Sequence, residues 1–259
     1  MCLILFLYDI HKDYRMVLGA NRDEFYKRAT APLGFWEHSP NILAGRDLKD
    51  GGTWMGITRS GRFAALTNYR DPASLRADAP SRGKLVSGFL QSDVSPAAYM
   101  ENLCSGGHKY NGFNLLLGDT RDLFYCSNRK NGFQKLDPGL YGLSNRFLDT
   151  PWPKVEKGKA GFSRLGEPID QEEIFRILSD RCTAPDDQLP ETGVSREWER
   201  MLSSMFIHSP VYGTRSSSVL LISQKGEVCF SEKTFVPADG GVKEEKTRSF
   251  QFLAPAQIG

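Results

Sequence analysis

The chain opens on an apolar run, Cys2–Tyr8, breaks at the polar His11-Lys12-Asp13, and resumes as a second apolar run, Arg15–Ala20. That pattern predicts a strand, a turn and a strand. Asn41–Asp47 reads as a third strand. Trp54–Arg59 and Arg62–Asn68 flank Ser60-Gly61, which suits a tight hairpin. The pattern then becomes helical. Ser81 is placed to cap a helix over Arg82–Ser92, with Val86 and Leu90 on one face. Ser95-Pro96 opens a second helix that Gly106-Gly107 ends, with Tyr99 and Leu103 four apart.

Strands return at Gly112–Gly118, Leu123–Ser127, Phe133–Leu136 and Leu140–Ser144, with Asn131-Gly132 as a hairpin signal. A second helical block follows. Asp170 with Glu173 resembles a capping box before Ile174-Phe175-Ile177-Leu178, and Ser195 is placed to cap Arg196–Ser203. The end is again β: Met205–His208, Thr214–Ser223, Glu227–Phe235 and Thr247–Leu253. Strands at both ends and helices in two blocks predict an α+β fold with antiparallel sheets. Two helical blocks over two stacked sheets make a four-layer αββα sandwich. Pro185–Gly193 and Pro237–Lys246 read as loops within a single domain over 1–259.

Composition narrows the function classes. The 259 residues carry 33 basic and 31 acidic side chains, a net charge of +2. That near balance leaves no electrostatic footprint for nucleic acid and none for a membrane surface. Five widely spaced cysteines without a CxxC pair do not form a disulfide framework or a structural zinc site, and no metal is expected. The opening apolar run is too short to span a bilayer and lacks the flanks of a signal peptide. A reducing, cytoplasmic setting is therefore the expectation. There is no GxGxxG, P-loop or HExxH pattern, and the four histidines are scattered.

Register points to chemistry. A first hairpin folded about Lys12 sets Tyr8 opposite Met16, Ile4 opposite Ala20 and Cys2 opposite Arg22; a slip of one gives Asn21 or Asp23 instead. In each case the polar block Asn21-Arg22-Asp23-Glu24 lies beside Cys2, about 5 Å away across the pair. Trimming of Met1 would leave Cys2 with a thiol and a free α-amine. These titrate near about 8.5 and about 8 respectively, so one residue supplies nucleophile and base. Arg22 would favour the thiolate, and Asp23 or Glu24 would hold the terminal ammonium.

Other polar residues sit at β-run ends. Asn68 and Asn145 each follow a predicted strand and can donate to an oxyanion, though Asn also favours turns. Arg215 heads Thr214–Val219, a run of small polar residues that suits a pocket floor with the arginine as a carbonyl or anion clamp. Gly51-Gly52-Thr53-Trp54 would bring backbone close to a ligand, with Trp54 as an apolar wall.

The stretches MCLILF, ANRDEFYKR, GGTWMGI, RFAALTNYRDP, YNGFNLLLGD, YGLSNRFLDTPWPKV and SPVYGTRSSSVLL run in order to about Phe252. With them the chain resembles the transport and Golgi organisation 2 family, also called the NRDE family. The resemblance implies an N-terminal-nucleophile hydrolase fold, similar to the cysteine group of penicillin V acylase, bile salt hydrolase and acid ceramidase. It implies Cys2 as nucleophile, with Arg22, Asp23, Asn68 and Asn145 as further catalytic residues. Asn21, Glu24, Trp54 and Arg215 would be substrate-binding. Arg22 and Asp23 are adjacent here but three apart in the acylases, so Asn21 and Glu24 could take those two places. The expected function is hydrolysis of linear amides without a cofactor. The alternative is a haem or lipid carrier on the same fold, with Phe35, Trp36, Trp54 and Trp152 lining an apolar cleft and His208 or His11 as iron ligand.

Overall fold

The computed structural model describes residues 2–238 and 241–255. In chain order the strands are β1 (Cys2–Tyr8), β2 (Tyr14–Phe25), β3 (Thr30–Trp36), β4 (Ser39–Asp47), β5 (Met55–Thr58), β6 (Phe63–Asn68), β7 (Phe113–Gly118), β8 (Leu123–Ser127), β9 (Phe133–Lys135), β10 (Gly139–Leu143), β11 (Tyr212–Ser223), β12 (Glu227–Ala238) and β13 (Gly241–Leu253). The helices are α1 (Gly83–Gln91), α2 (Pro96–Gly106), α3 (Pro153–Phe162), α4 (Gln171–Leu178) and α5 (Arg196–Leu202). One sheet has the order β10-β1-β2-β11-β12-β13 and the other runs β3 to β9 in sequence. All pairings are antiparallel.

Strand alternation assigns the layers. Ile4, Phe6, Leu18 and Ala20 meet Leu43, Met55, Ile57 and Leu116 between the sheets. The alternate residues Leu3, Leu5, Val17 and Val219 face outward and are covered by Val155 and Phe162 of α3 and Ile174 and Leu178 of α4. Ala64, Leu66, Leu115 and Leu117 of the second sheet are covered by α1 and α2 through Val86, Phe89, Leu90 and Met100. This is the expected αββα sandwich, with three apolar interfaces and four layers.

Several elements depart from the sequence pattern for identifiable reasons. β2 does not stop at Ala20 but continues through the polar block to Phe25. Its outer neighbour β11 supplies the small polar partners that make this tolerable, pairing Asn21 with Ser217, Arg22 with Ser216 and Asp23 with Thr214. β3 carries no strand pattern because Pro32 and Gly34 interrupt it; the strand is irregular, with register shifts against β4. α3 is also unmarked, its Pro-Trp-Pro start reading as loop although Pro153 occupies the first turn. Residues 205–208 form no strand, only an isolated bridge from His208 to Gly213. The Pro237–Lys246 segment belongs to the arms of the β12–β13 hairpin, with residues 239–240 outside the described set. Ser81 makes no cap for α1, where Arg82 holds that position without a side-chain hydrogen bond. By contrast Ser95 and Ser195 cap α2 and α5 through Ala98 and Trp198 backbone N–H groups.

In the Gly51-Gly52 pair, Gly51 adopts a left-handed turn conformation and Gly52 lets the backbone approach the start of α1. Gly51 has φ +79°, and a Cβ on Gly52 would lie 2.5 Å from the carbonyl carbon of Gly83. Backbone cannot yield as a side-chain tip can. Gly52→Ala is therefore expected to destabilise the fold by about 1–3 kcal/mol, measured by denaturant unfolding, because it pushes the start of α1 off the second sheet.

Candidate active site

The first hairpin forms in the symmetric register: Cys2 stands directly opposite Arg22, and Tyr8 opposite Met16. Strand alternation puts Cys2 on the inter-sheet face with Ile4 and Phe6. Its side chain is 7% exposed, and it lines a cleft of about 210 Å³ together with Arg22, Asp23, Glu24, Trp54, Asn68 and Arg82. Burial pushes the thiol pKa up, and the Asp23 charge adds to that; Arg22 and the Asp23 backbone N–H, which donates to the sulfur, act against it. Met1 lies outside the described residues.

Asp23 points to the opposite face of β2, into the helical layer. One carboxylate oxygen accepts from Thr214 Oγ1 at 2.8 Å, and its backbone carbonyl accepts from the Tyr212 hydroxyl at 3.0 Å. Burial pushes its pKa up, opposed by the Lys154 charge and the Thr214 hydrogen bond. Lys154 of α3 is 3% exposed, and its Nζ donates to the Leu202 carbonyl at 2.9 Å. Burial pulls it down to about 8, against the raising charges of Asp23 and Cys2.

Beside it Arg70 pairs with Glu199 at 2.5 Å, both almost fully buried, and Arg70 lies over the Trp152 ring at 4.8 Å. A buried layer of two cations and two carboxylates thus backs the Cys2 cleft. Nothing local in the sequence marks Lys154, Arg70 or Glu199 as buried, although Arg70 and Lys154 lie within the family-like stretches RFAALTNYRDP and YGLSNRFLDTPWPKV.

Lys154 makes stability depend on pH in a definite direction. The folded protein releases its proton near pH 8 and the unfolded chain near about 10.5. Between those values the unfolded state holds more protons, so this residue makes stability rise with pH, by up to about 1.4 kcal/mol per pH unit. The Lys154→Met protein is expected to lack that rise when denaturant unfolding is compared with wild type from pH 7.5 to 10.

The remaining candidates separate into those in the cleft and those outside it. Asn68, Trp54 and Glu24 line it. Asn145 is fully buried but does not line it. Its Nδ2 donates to the Asn68 carbonyl at 2.9 Å, and its Oδ1 accepts from Ser144 and, at 3.5 Å, from Arg70. Asn145 therefore positions the end of β6. Asn21, expected at the substrate, faces the helices: its Nδ2 donates to the Leu178 and Met205 carbonyls and its Oδ1 accepts from Ser217, all within 2.8 Å. Strand alternation puts it on the face away from Arg22. Arg215, expected as a pocket clamp, instead donates to the carbonyls of Phe25, Tyr26 and Arg28 and ties down the turn after β2. It lines a separate cavity of about 70 Å³ that it shares with Arg22, Trp54 and Glu232.

Two stacked antiparallel sheets between helical layers, with a cysteine at the head of the first strand, define the fold class of the N-terminal-nucleophile hydrolases. The chain is similar in fold to the C2A mutant of a conjugated bile acid hydrolase from Clostridium perfringens, with a TM-score of 0.51 and 11% identity, covering 100% of this chain and 99% of that one. The chain belongs to the Transport and Golgi organisation 2 family, whose model matches residues 1–237. It is 37% identical over 274 residues to the Transport and Golgi organization protein 2 homolog of Bos taurus, covering 97% of this chain and 99% of the relative. The Homo sapiens homolog is 36% identical over 275 residues, with the same coverage. The Drosophila melanogaster protein is 29% identical, over 95% of this chain and 96% of its own.

The cleft does not fit haem. A porphyrin needs a broad apolar slot, whereas charged side chains Arg22, Glu24, Arg28, Arg46, Asp47, Asp50 and Arg82 wall this small cavity. The aromatics expected to line a carrier's cleft are dispersed. Phe35 packs on Phe250 and Phe252, Trp36 lies in the core under α1, and Trp152 lies against Arg70. The His11 Nδ1 accepts from the backbone N–H groups of Asp13 and Tyr14, and neither His11 nor His208 lines the cleft. No helix among the described residues is long and apolar enough to cross a membrane.

Proposed function

We propose that the protein is a hydrolase of linear, non-peptide amides that uses Cys2 as an N-terminal nucleophile. The observation that carries this reading is the position of the Cys2 sulfur. It lines a cleft on one face of β2, takes the Asp23 N–H, and has the Asp23 carboxylate on the other face at the same strand level.

With Met1 removed, the α-amine of Cys2 takes the thiol proton and the thiolate attacks the amide carbonyl carbon. The Asn68 amide, which lines the cleft at the end of β6, would donate to the oxyanion. The resulting ammonium gives its proton to the departing amine nitrogen as the C–N bond breaks, leaving a thioester on Cys2. Water then attacks the thioester, giving its proton to the amine, and the sulfur leaves and regains that proton. Asp23 holds the ammonium form of the terminus by charge. Lys154 and Thr214 oppose the rise that burial imposes on the Asp23 carboxyl pKa.

Intact-mass measurement of purified protein tests the first requirement, the loss of Met1. Incubation with two electrophilic amide mimics, one neutral and one bearing a carboxylate, followed by peptide mapping, tests the second. A single adduct on Cys2 is the expected result. Protein lacking Met1 that takes no adduct at Cys2 from either mimic would overturn the reading.

A further inference from the structure

Four guanidinium groups line the Cys2 cleft: Arg22, Arg28, Arg46 and Arg82. The carboxylates of the cleft do not distribute evenly among them. Asp47 and Asp50 both pair with Arg28, the latter at 2.6 Å, and Glu24 stands 3.9 Å from it. Asp23 faces the helical layer and Thr214. Among the described residues no carboxylate forms an ion pair with Arg22, Arg46 or Arg82. Their hydrogen-bond and stacking partners are neutral, and the carboxylate charges that reach them act without direct pairing, Glu24 on Arg82 and Glu232 on Arg22. Arg22 donates to Thr30 Oγ1 at 3.3 Å, Arg82 to the Gly112 carbonyl at 2.9 Å, and Arg46 stacks on the Trp36 ring at 5.1 Å.

Such an arrangement is costly without a ligand. A guanidinium drawn out of water is stabilised by a counter-charge or by a full set of acceptors, and each of these three uses few of its five donors. Arg82 is the most telling. It precedes α1 and lines the cleft with Cys2; burial lowers its pKa, and the charges of a Cys2 thiolate and of Glu24 oppose that. A planar fork with free N–H groups beside a nucleophile matches a carboxylate better than a point anion. Trp54 and Leu66 supply an apolar wall for the rest of a small molecule.

Resting on the hydrolase reading above, we propose that the substrate is a small amide bearing a carboxylate within a few bonds of the scissile carbonyl, and that Arg82 receives that carboxylate, with Arg46 and Arg22 beside it. Arg82 thereby sets specificity, and neutral amides of the same shape are poor ligands.

Binding to the Cys2→Ala protein tests this without requiring turnover. Two probe pairs are titrated by calorimetry: N-phenylacetylglycine against N-phenylacetylglycinamide, and N-benzylsuccinamic acid against its carboxamide. The pairs place the carboxylate on the amine side and on the acyl side. The acid of at least one pair is expected to bind about tenfold or more tightly than its carboxamide. Added Arg82→Gln is expected to remove most of that preference, and raising the salt to weaken it. Equal binding within both pairs overturns the proposal, as does a preference that survives both Arg82→Gln and Arg46→Gln in proteins with wild-type circular dichroism. If Arg82→Gln does not fold, Arg46→Gln and the salt series decide. A charge preference in Cys2→Ala with no hydrolysis by the wild type would remove the hydrolase reading alone. Hydrolysis of acid and carboxamide at equal rates would remove this inference alone.

Discussion

Cys2→Ala is expected to abolish amide hydrolysis, lowering kcat by at least about 10³-fold, while leaving the fold intact. The side chain it removes is small, and its nearest strand partners, Arg22 across the pair and Ile4 on the same face, keep their register. The loss is chemical: alanine retains the α-amine but offers no atom to form the acyl bond. Cys2→Ser is the sharper variant. It keeps a nucleophile of similar size, but a hydroxyl is far harder to ionise than a thiol, so a residual rate well below wild type is expected. The pH profile adds a further check. The amine must be unprotonated to accept the thiol proton, so kcat/KM is expected to rise with pH towards the α-amine range, near about 8. Initial rates on a carboxylate-bearing amide, with thermal unfolding run in parallel, measure all of this.

Glu199→Ala is expected to give the largest loss of stability, about 3–5 kcal/mol, because it leaves the Arg70 guanidinium buried without its carboxylate. Glu199 also accepts from the Thr192 backbone N–H at 2.9 Å, so α5 and the segment before it lose an anchor too. The Arg70 charge next acts on its neighbours. Lys154 is already pulled down by burial and by Arg70, and the charge of Glu199 is among those that support it. Removing Glu199 is therefore expected to lower the Lys154 pKa further. Arg70→Met combined with Glu199→Leu should recover much of the stability, since an apolar pair of similar volume carries no desolvation cost. If the layer serves only packing, the double variant keeps wild-type activity. If it tunes Asp23, the double variant is stable and slow. Urea unfolding and kcat on the same preparations separate the two.

The two apolar runs Cys2–Tyr8 and Arg15–Ala20, with a polar break between them, put Cys2 beside the Asn21–Glu24 block, and the structure selects Arg22 as its partner over Asn21 or Asp23. Hairpin register follows from turn length and face, both local properties. The two helical blocks and the αββα class were legible for the same reason: periodicity switches between two and 3.6 along the chain. Irregular elements were not legible. β3 carries Pro32 and Gly34, and α3 starts with Pro-Trp-Pro, so the local signal there was that of a loop, and only the surfaces they cover make them ordered. Asn21 and Arg215 were drawn towards the site by residue type, whereas strand alternation and the pull of three main-chain carbonyls, respectively, placed them elsewhere.

By itself the sequence determined which residues could carry chemistry at the chain's start and that a polar block would stand beside them, because both lie within one hairpin. Only the tertiary structure decided what surrounds them. Lys154, more than a hundred residues along the chain, arrives behind Asp23 because α3 must cover Leu3 and Leu5 of β1. Arg82 arrives in front because α1 must cover the second sheet. Those positions are consequences of burying apolar faces in three dimensions, and no local pattern encodes the distance between groups that meet only when the sheets stack.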